Sequence, residues 1–147
     1  MKDNTIFGAL AIPYKQIQNG FEFLLLKHQN GIWTFPGGGK DEEDLSLEDC
    51  LVRELKEEIG IVTKKSELLP TGLVNRFTYG PEKPERSGKP GETHFWLLKL
   101  TGNETLSSFD KIVDYGWFSS EKILELIPFQ DERRIFSEAC KVLQEKS

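Results

Sequence analysis

Apolar residues fall along this chain in short blocks separated by turn residues, and the blocks change period along its length. Residues 5–14 (TIFGALAIPY) are apolar and rich in strand formers, and residues 21–28 (FEFLLLKH) form a second such block. Asn19-Gly20 between them is a turn signal, and Asn30-Gly31 is another. Trp33 and Phe35 then read as a short strand with both aromatic rings on one face. Pro36 and the three glycines after it are expected to end any regular element. From Ser46 the period becomes helical, with Leu47, Leu51, Leu55 and Ile59 on one face. Ser46 suits the N-cap, Asp49 completes a variant capping box, and Gly60 suits the stop. Residues 68–79 (LLPTGLVNRFTY) and 92–100 (ETHFWLLKL) read as strands. Between them the Pro-, Gly- and charge-rich residues 80–91 predict a mobile surface loop. A short strand over 114–119 is followed by amphipathic helices over 120–127 and 131–146, the second with Ile135, Phe136, Ala139, Val142 and Leu143 on one side. Three strands, a helix, further strands and two helices argue for a single α+β or mixed-sheet α/β layer domain over residues 1–147.

One polar cluster does not fit that pattern. RELKEEIG (53–60) holds Glu54, Glu57 and Glu58 within an arc of about 100°. Like charges one turn apart repel. Glu58 projects between Leu47 and Leu51, on the arc that the apolar residues reserve for the core. A carboxylate there needs a partner, and Arg53 lies well away on the wheel. A hard cation with oxygen ligands, Mg²⁺ or Mn²⁺, would remove both the repulsion and the burial problem. Spacing alone leaves this reading and an ordinary solvated face both open.

Composition narrows the field. The chain carries a net charge of −5 and has a pI of about 5.2, against the basic excess that non-specific nucleic-acid binding needs. A phosphate substrate would have to be drawn by something other than net charge, such as a bound divalent cation. No apolar run is long enough to span a membrane and no leader pattern is present, so the expected location is the cytoplasm. Cys50 and Cys140 make no CxxC pair and are expected as buried thiols.

The glycines of FPGGGK (35–40) allow close approach of backbone to a ligand, and with the helix they carry a resemblance. Residues 39–61, GKDEEDLSLEDCLVRELKEEIGI, resemble the signature box of the Nudix hydrolases: Gly, five residues, Glu, seven residues, Arg-Glu, an aliphatic, any residue, Glu-Glu, any residue, Gly, an aliphatic. Gly39, Arg53, Glu54, Leu55, Glu57, Glu58, Gly60 and Ile61 match in register. GIWTFPGG upstream and Trp117 before a helix downstream are similar to the family's flanks. The first box glutamate is replaced by Leu45; in the family it helps hold the box arginine, and Asp44 or Glu43 is a candidate substitute.

The resemblance implies a mixed sheet between helices and Mg²⁺-assisted attack of water on a phosphorus of a nucleoside diphosphate linked to another moiety. It implies Glu54, Glu57 and Glu58 as metal ligands, with the Gly39 carbonyl a further ligand. Glu54 is the first candidate for general base, and Arg53 would orient the glutamates. Substrate contacts are sought at Lys40 and Lys27, and at Tyr79, His94 and Trp96 for a base. His28 reads as a strand-end surface histidine. Asp110 and Asp114 are candidates for an additional acid. The tail (113–143) looks like the diadenosine-tetraphosphate hydrolase branch, whereas Pro36-Gly37-Gly38 is more typical of nucleoside-triphosphate and sugar-nucleotide hydrolases. The substrate is therefore expected to be a small nucleotide. The alternatives are an RNA 5′ end, met by a local basic patch at Lys83, Arg86 and Lys89, and a non-catalytic nucleotide sensor.

Overall fold

The computed structural model describes residues 4–107 and 111–146. Strand β1 (Ile6–Ile17) turns through Asn19-Gly20 into β2 (Gly20–His28), the antiparallel hairpin that the turn signal predicted. β3 is only Trp33–Thr34. Phe35 lies beyond it, yet both rings face the same core, because Phe35 is buried in the cluster against which Trp33 packs.

The glycines do not end regular structure. Gly37–Gly39 form a strand, β4, antiparallel to β1 with Gly39 opposite Gly8, Gly38 opposite Ala9 and Gly37 opposite Leu10. Bare backbone can approach β1 closely enough to pair where side chains would collide. Helix α1 (Leu47–Ile59) follows, then a single 3₁₀ turn (Lys65–Glu67) and β5 (Leu68–Thr78). β6 (Pro90–Lys99) runs antiparallel to β5 and parallel to β1, so the sheet is mixed. β7 (Ile112–Phe118) pairs with β2, and helices α2 (Ser120–Leu126) and α3 (Gln130–Lys146) complete the chain. The main path is β3-β2-β1-β6-β5, with β4 on β1 and β7 on β2.

Alternation along the strands divides the interior in two. Ala9, Ala11, Leu24, Leu26, Trp96 and Leu98 face α1 through Cys50, Leu51, Leu55 and Ile59. Ile12, Phe23, Leu25, Phe95 and Leu97 face α2 and α3 through Ile123, Ile135, Phe136, Ala139 and Leu143. Both cysteines are free; Cys50 is buried, with its thiol pushed up to about 11 chiefly by that burial, and Cys140 is half-buried. No helix among the described residues is long and apolar enough to cross a membrane.

Candidate active site

Helix α1 is set at both ends by its own sequence. The Ser46 hydroxyl accepts the Asp49 N–H at 3.1 Å, and Gly60 closes the helix at φ 73°. With Leu51, Leu55 and Ile59 pinned to the sheet, Glu54 and Glu58 come to the edge of the buried face, and Glu57 points outward. Glu58 accepts the Gly37 N–H at 2.9 Å, so the helical projection that set it beside the core agrees with its place. The Glu54 carboxylate lies against Gly38, where any Cβ would overlap it. Burial raises the pKa of both. Glu58 reaches about 7, with the charge of Glu54 adding to burial and the Gly37 hydrogen bond opposing it.

Arg53 ties this helix to the loop before it. Its Nε and Nη2 donate to Asp44 at 3.0 and 2.8 Å, Nη1 to Glu57 at 2.9 Å, and Nη2 also to the Gly39 carbonyl at 3.2 Å. Glu54 and Asp41 lie 3.5 Å away. Asp44 is 7% exposed, and its Oδ2 also accepts the Asp41 N–H at 2.8 Å; the hydrogen bonds from Arg53 and Asp41 hold its carboxyl down at about 2. Leu45 is 92% exposed and Glu43 is exposed. The carboxylate absent at residue 45 is therefore supplied one residue earlier, by a two-oxygen pairing. Asp44→Ala is expected to lower the melting temperature by several degrees and to reduce activity by misplacing Arg53, while Leu45→Glu changes neither. Calorimetry and steady-state kinetics on the two variants check this, and an unaltered Asp44→Ala protein would rule it out.

The glycine strand is a thin divider. Residues paired across strands point to the same face. Gly38 and Ala9 face α1 and the carboxylates; Gly39, Gly8 and Thr93 face the other way. On that second face a cavity of about 580 Å³ is lined by Thr93, Asn75, Phe77, Tyr79, Phe129 and Glu132, among others. This is a size that takes a small-molecule ligand.

Glu132, in the first turn of α3, has a buried Oε1 with no hydrogen-bond partner among the described residues, and burial pushes its carboxyl up to about 7. A carboxyl raised from 4.5 in the unfolded chain favours folding least once it is charged, so its cost grows as pH rises from about 4.5 to 7. Glu132→Gln is expected to melt higher than the parent at pH 8 and to lose that part of the pH dependence. Melting curves from pH 4.5 to 8 test it; parallel curves for the two proteins would refute it.

The remaining sequence-predicted contacts separate. Lys40 follows Gly39 at the rim, exposed, its N–H on the Phe7 carbonyl at 2.8 Å. Tyr79 lines the cavity. His94 lies on the opposite face of β6, bonded to Glu92 at 2.8 Å. Trp96, two residues further on that face, is 7% exposed within the α1 core and cannot stack on a base; Phe95 is core as well, because both faces of β6 are covered there. Lys27 lies 5.9 Å from the Trp33 ring and opposite Asp114 on β7. Asp114 is exposed and Asp110 falls outside the described residues. His28 is half-buried against Thr34 at 2.7 Å. Sequence reasoning missed Glu132 and Phe129 as cavity residues: an acid in a first helical turn reads as a dipole complement, and nothing local marks a cavity.

Among the described residues no three acidic, histidine or cysteine side chains stand together as a ready metal cluster. Glu57 is held by Arg53 and Glu58 by Gly37. The donor set nevertheless suits a hard cation: neighbouring half-buried carboxylates with raised pKa are costly to ionise without one.

Residues 10–140 match the family model described as NUDIX domain. An RNA pyrophosphohydrolase of Campylobacter jejuni is 31% identical over 126 residues, 80% of this chain and 76% of that protein. An 8-oxo-dGTP diphosphatase of Proteus vulgaris is 49% identical over 47 residues, which span 32% of this chain and 41% of that protein's length. The fold is shared with an Ap4A hydrolase of C. elegans at a TM-score of 0.78 and 21% identity, covering 95% of this chain and 98% of that one. With the box arginine and its three helix glutamates arranged on α1 beside the glycine strand, and a family model spanning most of its length, the chain belongs to the Nudix hydrolase family.

Proposed function

We propose that this protein hydrolyses a phosphoanhydride bond in a nucleoside triphosphate or dinucleoside polyphosphate, with Mg²⁺, or Mn²⁺ in its place, held by Glu54, Glu57, Glu58 and the Gly39 carbonyl. The observation that carries this is the pair of half-buried, mutually repelling carboxylates of Glu54 and Glu58 set against a strand without side chains. When bound, the cation neutralises the meeting of an anionic substrate with an anionic site and activates water. The chain's own residues position the reactants. Arg53 aligns Glu57 and the Gly39 carbonyl through direct hydrogen bonds. Gly38 and Gly39 let a phosphate approach the backbone. Glu54, half-buried, is the first candidate to take the proton of the attacking water. The cavity beside Tyr79 and Phe129 takes a base, with Lys40 at the rim toward the phosphates.

An RNA 5′ end is the second reading, favoured by the similarity to the Campylobacter jejuni enzyme and by the exposed Lys83 and Lys89. The purified protein should be incubated with Mg²⁺ and a panel of nucleoside triphosphates, dinucleoside polyphosphates, nucleotide sugars and 5′-triphosphate RNA, with and without chelator. Chelator-sensitive release of phosphate or nucleotide from at least one small nucleotide is expected. Turnover of RNA alone moves the assignment to the second reading, and turnover of nothing rejects both.

A further inference from the structure

An arginine with no carboxylate partner among the described residues stands across the glycine strand from the glutamates. Of residues 81–89, between β5 and β6, only Arg86 is not exposed. Its backbone is fixed in both directions: the N–H donates to the Lys83 carbonyl and the carbonyl accepts from Lys89, each at 2.9 Å. The base of the loop is closed by Tyr79 N–H on the Lys89 carbonyl and Gly88 N–H on the Tyr79 carbonyl, again at 2.9 Å. This succession of turns brings the Arg86 guanidinium to 5.4 Å from the centre of the Tyr79 ring, with Nη1 3.5 Å from the Tyr79 hydroxyl. Nη2 lies 3.8 Å from the point where a Cβ on Gly39 would stand. Among the described residues no carboxylate pairs with it, although Arg53 nearby gathers several.

Position and chemistry agree. Gly39 faces the cavity side of the sheet, so Arg86 stands between the cavity and the bare backbone that separates it from α1. The Tyr79 ring steadies the guanidinium plane and its hydroxyl takes Nη1, which leaves the other N–H groups to match phosphate oxygens. A guanidinium drawn partly out of water with no anion beside it is completed by an anionic ligand.

We propose that Arg86 is a substrate-binding residue, whose guanidinium takes the non-bridging oxygens of the phosphate chain as that chain passes over Gly39 between the cavity and the carboxylates of α1. The inference rests on the hydrolase reading above for the identity of the substrate. Tyr79 is then the platform that aims Arg86, in addition to lining the base cavity. The loop thereby adds a cation that the signature box does not contain.

The test uses the full chain with inorganic tripolyphosphate, which carries no base, titrated calorimetrically in Mg²⁺ buffer, alongside steady-state kinetics on whichever nucleotide is turned over. Arg86→Gln is expected to weaken tripolyphosphate binding and raise KM at least tenfold with an unchanged melting temperature. Arg86→Lys is expected to recover part of each. If Arg86→Gln binds tripolyphosphate as the parent does, the proposal is wrong even if the enzyme is active. If binding falls but no nucleotide is turned over by the parent, Arg86 stands as a phosphate site and the hydrolase reading fails instead.

Discussion

Glu57→Gln is expected to lower kcat at least about 100-fold and to leave the melting temperature within about two degrees. The two parts come from different features of one side chain. Glu57 is 59% exposed and its partner Arg53 keeps Asp44 regardless, so the folded state loses only a solvent-screened ion pair. Glutamine preserves the shape and an acceptor for Arg53, and removes only the charge that a cation would need. Glu54→Gln sharpens the contrast. Burial and the nearby Glu57, Asp41 and Asp44 make the Glu54 charge unfavourable despite Arg53, so neutralising it is expected to hold or raise the melting temperature while activity falls. Kinetics on the preferred nucleotide across a range of Mg²⁺ concentrations, paired with scanning calorimetry, measure both. An enzyme indifferent to both substitutions would place the chemistry elsewhere.

Gly37→Ala is expected to cost about 3–5 kcal/mol and to lower the melting temperature by roughly ten degrees or more. Gly37 has φ 146°, where an L side chain is strained, and its Cβ would run into the Ala9 carbonyl, with Leu10 Cδ2 at 2.7 Å and Leu10 Cα at 2.8 Å. Those obstacles are β1 itself, which is pinned to β6 and cannot retreat. Displacing β4 to relieve the clash would also carry the residue 37 N–H away from Glu58. Gly38→Ala is different. The atoms nearest its Cβ all belong to the Glu54 side chain, which is flexible and can swing away. The expected result is a small loss of stability and a large loss of activity. Urea denaturation of both variants decides the matter; equal stability losses would mean that β4 is not seated on β1 as described.

Local chemistry explains why so much was legible beforehand. Hairpin, α1 and its caps, and the last helices follow from turn residues, Ser46, Gly60 and apolar spacing, each a property of a few consecutive residues. The box register and the awkward position of Glu58 could likewise be read along the chain. The same local logic failed at Pro36-Gly37-Gly38-Gly39, where glycine signals an end to regular structure unless a neighbouring strand is at hand to pair with it.

By itself, then, the sequence determined the elements other than β4, the three glutamates on one helix and the family to which they point. It could not determine which carboxylate replaces residue 45, because Asp44 and Glu43 differ only in which way the folded loop turns them: Asp44 inward to Arg53, Glu43 to solvent. Nor could it separate His94 and Tyr79, which lie on opposite faces of one sheet, or show that Trp96 is core. Tyr79, Thr93 and Glu132 are far apart in the chain, and only the pairing of β5 with β6 and the docking of α3 set them around one cavity, with Arg86 brought between Tyr79 and Gly39 by the loop before β6. Periodicity records which way a side chain points on its own element; what it meets there is decided by the packing of elements distant in sequence.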